Sequence, residues 1–176
     1  MFRSAKEIAF IGVTVALLIG GQLVLSAISG IEIVTVIFAV YCFIFGVFRG
    51  VVTATAFSLV RCIVFGFFPQ VVVLYLIYYN LFAVVLGLLG KWLKSSSLPM
   101  KIGVITLVCV LLTIVFTLID NLLNIWVLGV ISPTVKKIYI LQSIPVAITQ
   151  AVSNAVIVPL LFYPLYKVYT SAKKRL

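Results

Sequence analysis

The sequence predicts an all-α, polytopic membrane protein with six transmembrane helices and both termini in the cytoplasm. Of its 176 residues, 65% are apolar and 9% are charged, against about 45–50% and 25% in soluble domains. The mean hydropathy is +1.38. A bilayer core of about 30 Å needs roughly 20 apolar residues per helix, so six spans use nearly the whole chain. The third observation is a one-sided distribution of lysine and arginine.

Breaks in hydrophobicity divide the chain, taken as a single transmembrane domain over residues 1–176, into six spans. Glycine, proline and serine clusters mark the breaks. The predicted spans lie near residues 8–28, 33–48, 51–67, 70–93, 102–130 and 143–168. The second and third spans are short and are separated by residues 48–50, which predicts a tight helical hairpin. Residues 95–99 and 132–137 are the clearest predicted loops.

The basic residues fix the predicted orientation, because cytoplasmic loops carry the excess of lysine and arginine. With the N-terminus inside, ten basic residues fall on the cytoplasmic side: Arg3, Lys6, Arg49, Lys91, Lys94, Lys101, Lys167, Lys173, Lys174 and Arg175. Lys136 and Lys137 fall outside, and Arg61 lies within a span. The net charge of +10 is therefore explained by topology, and we expect no nucleic-acid partner.

Polar side chains within the spans concentrate in their outer halves. The candidate site residues are Gln22, Glu32, Arg61, Asp120, Asn121, Asn124, Gln142, Gln150 and Asn154, with Tyr78 and Tyr79 as flat walls near mid-membrane. A charge at a helix centre costs roughly 2.5–3.5 kcal/mol, so Arg61 and Asp120 should face protein or water, and pairing is one option. The clustering predicts a substrate pocket open to the outside. The alternative is that these groups only join helices by hydrogen bonds.

The first span carries a row of small residues, Gly12, Ala16 and Gly20, at intervals of four. Such a row allows another helix to approach closely, since packing drives helix association in lipid. Two interpretations remain open at this point. The row is either a docking face for a partner subunit or a contact within the chain.

Catalytic and metal-binding motifs are missing from the sequence. It contains no histidine and only three acidic residues, and it lacks a phosphate-binding loop and a nucleophile elbow. Its three cysteines are scattered through apolar runs, where buried and inert thiols are the usual case. We therefore expect no enzymatic activity, no cofactor and no metal site.

Taken together, these features resemble the substrate-binding S components of energy-coupling factor (ECF) transporters, which capture vitamins at the bacterial cell surface. The likeness covers essentially the whole chain. It rests on size, six predicted spans, the basic start, and the segments SGIEIVT at 29–35 and YCFIFG at 41–46. In the family, a small-residue row on the first helix docks on a membrane scaffold (T) subunit coupled to two ATPases. Here Gly12-x-x-x-Ala16 departs from that row in one residue and keeps the small size.

The resemblance implies a multi-pass protein of the bacterial cell membrane that binds a vitamin for uptake powered by partner ATPases. It is greatest to the cobalamin-type S components of group II transporters, so cobalamin is the expected ligand. Folate, pantothenate and other vitamins of the family remain open, and Arg61 suits the carboxylates of the first two. Two other classes also remain: a self-sufficient small carrier or channel, which often shows internal repeats, and a scaffold without a ligand, which would not need Arg61 and Asp120 within spans.

Overall fold

The computed structural model describes residues 5–25, 33–127, 129 and 132–176, and in this part of the chain all regular structure is helical. The helices are α1 (Ala5–Leu25), α2 (Ile33–Phe45), α3 (Val47–Phe65), α4 (Pro69–Trp92), α5 (Leu98–Val127) and α6 (Pro133–Arg175). The predicted all-α class is confirmed. Five helices are long and apolar enough to cross a membrane, whereas α2 is apolar but has only 13 residues. The predicted site residue Glu32 lies outside the described residues.

The break between α2 and α3 is a single residue, Gly46, with φ +84°. Glycine adopts this backbone conformation without a steric penalty, so the chain reverses within one residue. The hairpin is confirmed, because the Tyr41 and Thr53 hydroxyls lie 3.0 Å apart across it. The predicted position of the break was wrong: residues 48–50 lie inside the first turn of α3.

The last helix is longer than predicted. α6 has 43 residues, about 65 Å at 1.5 Å per residue, roughly twice the bilayer core. The loop predicted over residues 132–137 is wrong for all but its first residue, because Pro133 begins the helix. Proline suits this first position, where its missing N–H would have had no helical partner.

The short helix α2 lies at the centre of the bundle and packs against each of the other five helices. Ten of its 13 residues are buried, among them Phe38 and Tyr41. The surrounding helices turn large apolar side chains outward, as at Ile63 and Trp126, which are 83% and 81% exposed. Apolar surface on this scale is expected of a chain surrounded by lipid.

Several basic side chains meet at one end of the bundle, which we call the basic end. Arg49 Nη2 lies 2.6 Å from Glu7 Oε1, which joins the start of α3 to the start of α1. Lys173, near the end of α6, donates to the Ile44 carbonyl, and Lys101 at the start of α5 donates to the Lys94 carbonyl. The opposite end is where α1, α3 and α5 finish and where α2, α4 and α6 begin.

Candidate functional site

A cavity of about 280 Å³ lies between α5 and α6, toward the end opposite the basic end. We call it the α5–α6 cavity. Its lining residues are Phe116, Thr117, Asp120, Asn121, Tyr139, Gln142, Ser143, Val146 and Gln150. Spacings of three and four residues place each helix's contribution on one face. The structure thus brings together four of the predicted site residues: Asp120, Asn121, Gln142 and Gln150.

Asn121 is the most buried polar residue of the cavity lining, at 6% exposure. Its Nδ2 donates to Ser143 Oγ at 2.8 Å, and the Ser143 hydroxyl donates in turn to the Ile140 carbonyl. Its Oδ1 is buried and has no hydrogen-bond partner among the described residues. An unsatisfied buried acceptor costs about 1–3 kcal/mol, so a hydrogen-bond donor bound in the cavity would recover that energy.

Asp120 is held by the side chain one turn further along α5. Asn124 Nδ2 lies 2.8 Å from Asp120 Oδ1 and 2.9 Å from the Asp120 main-chain carbonyl oxygen. Asn124 is not one of the lining residues of the cavity. It positions the carboxylate, and Asp120 itself lines the cavity.

Arg61 and Gln22 lie elsewhere, where α1, α3 and α4 meet around Tyr75. The Arg61 guanidinium carbon is 4.0 Å from the centroid of the Tyr75 ring and 5.1 Å from that of Phe65. Gln22 Nε2 donates to the Tyr75 hydroxyl at 2.9 Å. The charge on Arg61 therefore has aromatic partners, whereas Asp120 has an amide partner. The structure does not place these two charges together as an ion pair among the described residues.

The remaining candidates, Tyr78, Tyr79 and Asn154, do not line the cavity. Tyr78 and Tyr79 are both buried. The Tyr78 ring centroid is 4.8 Å from that of Phe116, so Tyr78 backs the cavity wall, whereas Tyr79 packs against Phe57 with a centroid distance of 4.9 Å. Asn154 is fully buried and donates to Thr113 Oγ1 at 2.8 Å. This bond joins α6 to α5 closer to the basic end. It is a helix-joining contact of the kind that the sequence left as an alternative.

Sequence reasoning missed five lining residues of the cavity. They are Phe116, Thr117, Tyr139, Ser143 and Val146. Membrane helices contain many apolar, hydroxyl and aromatic residues, so composition does not single these five out. The usable signal was spacing, because Tyr139, Ser143 and Val146 fall on the same face of α6 as Gln142 and Gln150.

The small-residue row borders an apolar groove of about 560 Å³ between α1 and α3, which we call the α1 groove. Ala56 and Val60 of α3 form its far wall. A Cβ built on Gly12 or Gly20 meets no heavy atom of the described residues within 4 Å. In the described part of the chain, therefore, no other helix fills this row, and it faces outward.

In comparisons with known proteins, no family model matches the chain, and neither a curated protein nor a solved structure is significantly similar to it. The α5–α6 cavity and the α1 groove are therefore the features from which a function can be inferred.

Proposed function

We propose that this chain is the membrane-embedded S component of an ECF-type transporter, which captures a vitamin for uptake powered by partner ATPases. The observation that carries the proposal is the α5–α6 cavity, where Asn121 has a buried acceptor without a partner. In a membrane helix, polar groups of this kind are costly and typical of substrate sites. The chain itself has no catalytic role in this proposal.

The proposed topology has all six helices crossing the membrane and both termini in the cytoplasm. It is supported by the basic end, where Arg49, Lys101 and Lys173 meet, since basic residues favour the cytoplasmic side. The α5–α6 cavity then lies toward the outer surface. A solute would reach it from outside the cell.

The α1 groove is the proposed docking face for the scaffold subunit. Its small residues, Gly12, Ala16 and Gly20, line an apolar surface that helices of the described chain leave open. Close backbone approach is what small residues permit in lipid. Docking at this groove leaves the α5–α6 cavity free, so one molecule can hold its solute and its partner together.

The size of the cavity favours a small vitamin over the cobalamin expected from overall resemblance. At about 280 Å³, it is at the lower end of the roughly 300–1,000 Å³ of ligand pockets. Cobalamin, with its corrin ring and nucleotide arm, is much larger than such a cavity. Arg61, which had favoured a carboxylate, lies on the α3–α4 side and does not line the cavity.

Calorimetric titration of the detergent-purified chain tests this proposal. The titrants are riboflavin, thiamine, biotin, folate, pantothenate, niacin, pyridoxine and cobalamin. We expect one small vitamin to bind, and Asn121→Ala to raise its Kd about 3- to 100-fold through loss of a hydrogen bond. Asn154→Ala is the matched control: it should lower thermal stability and leave the Kd unchanged. A wild-type protein that binds none of the eight would contradict vitamin capture.

A further inference from the structure

We infer that the α5–α6 cavity is built for a compact organic cation that donates hydrogen bonds, held by the Asp120 carboxylate and the Asn121 side-chain oxygen. This inference rests on the proposed function and names its ligand class. It stands on three features of the cavity: its charge, the direction of its hydrogen bonds, and its aromatic walls.

The charge of the cavity lining is negative. Of the nine lining residues, Asp120 is the one with a formal charge. Asn124 occupies its Oδ1, and Oδ2 accepts no hydrogen bond from the described residues. Lys136 lies one turn before Tyr139 at the start of α6, but it does not line the cavity. A lysine at the water boundary is screened more strongly than a half-buried carboxylate, so the cavity favours a cation.

The hydrogen bonds around Asn121 run in one direction. Asn121 Nδ2 donates to Ser143, and Ser143 donates to the Ile140 carbonyl. The atom of the amide that remains unpaired is Oδ1, which only accepts. Asn121 Oδ1 and Asp120 Oδ2 are both acceptors, so a ligand that binds them must donate hydrogen bonds from N–H or O–H groups. An ammonium group, or a protonated ring nitrogen with a neighbouring amino group, provides such donors.

Two aromatic side chains complete the lining, Phe116 from α5 and Tyr139 from α6. Phe116 lies one turn before Asp120 on the same helix face. Aromatic rings near a carboxylate are a common arrangement for organic cations, because the ring faces attract positive charge. The small cavity volume, about 280 Å³, limits the ligand to one or two rings.

The test compares ligands of graded charge on the full-length purified chain. Calorimetry is run with thiamine and pyridoxamine as cations, pyridoxine and riboflavin as neutral probes, and pantothenate and nicotinate as anions. We expect a cation to bind, and pyridoxamine to bind more tightly than pyridoxine, which has a hydroxyl in place of the ammonium. This pairwise comparison needs no variant and therefore holds even if substituted chains fold poorly.

Variants of Asp120 give the second arm of the test. Asp120→Asn keeps the size of the side chain and removes the charge, so it should raise the Kd for the cation at least about tenfold. Asp120→Glu should retain part of the affinity. If an anion or a neutral vitamin binds and Asp120→Asn leaves its Kd unchanged, the cation inference is overturned while vitamin capture stands. If none of these probes binds but biotin, folate or cobalamin does, the cation inference is likewise overturned while vitamin capture stands. If none of these vitamins binds at all, vitamin capture itself fails.

Discussion

Replacing Gly90 of α4 by alanine is expected to destabilise the bundle by more than about 3 kcal/mol, beyond the usual range for overpacking. A Cβ at Gly90 would lie 2.1 Å from the Phe43 carbonyl oxygen and 2.9 Å from its carbonyl carbon. These are main-chain atoms of the central helix α2, so they cannot move aside as a flexible side chain does. Gly87 is similarly close, with its Cβ position 2.6 Å from the Val47 nitrogen.

Thermal unfolding of the detergent-purified variants measures this effect. Gly103→Ala on α5 is the matched control, because a Cβ there meets no heavy atom of the described residues within 4 Å. In that helix, alanine should be neutral or stabilising by about 0.5–1 kcal/mol. A Gly90→Ala protein as stable as the wild type would show that α2 and α4 do not pack this closely.

If the proposed function holds, substitution of Ala16 by tryptophan is expected to abolish solute uptake and assembly with the proposed scaffold subunit, while solute binding persists. Ala16 lies at the centre of the small-residue row in the α1 groove. An indole ring there would fill the groove and hold a partner helix away. The α5–α6 cavity, the proposed binding site, is formed by other helices, so the affinity for the solute should stay within about twofold of the wild type.

Leu107→Trp is the control for this substitution, since Leu107 is a 60% exposed side chain of α5 outside the groove. It places the same ring on a lipid-facing surface and should leave uptake intact. Uptake is measured in cells, assembly by copurification, and binding by calorimetry. If Ala16→Trp loses solute binding as well as assembly, solute binding and partner docking do not take place at separate sites.

The approximate position of a residue along its helix was predictable from the sequence, because breaks in hydropathy locate the helix ends to within several residues for most of the chain. Asp120, Asn121, Gln142 and Gln150, which the sequence places at similar distances from the ends of their helices, line one cavity in the structure. Spacing along a helix then defines a face. It does not say which neighbour that face meets.

The rotation of each helix about its own axis determines which neighbouring helix a polar side chain faces, and the sequence did not predict this rotation. Arg61 lies in the half of α3 that is farther from the basic end, and its helix turns it toward Tyr75 of α4. Asn154 lies one turn after Gln150 on α6, but its side chain donates a hydrogen bond to Thr113 and so joins α6 to α5. The tight contact at Gly90 is invisible in the sequence, where the residue is one more glycine in an apolar run. It depends on where the Phe43 main chain passes.

The most direct measurement of the central claim is affinity purification of the tagged chain from the membranes of cells that naturally make it, followed by mass spectrometry. We expect two ATPases and a membrane scaffold subunit in the eluate, and one small molecule released when the protein is denatured. Ser143→Trp, which fills the α5–α6 cavity, should remove the small molecule and keep the proteins. An eluate without ATPases, with no small molecule that depends on the cavity, would contradict the account.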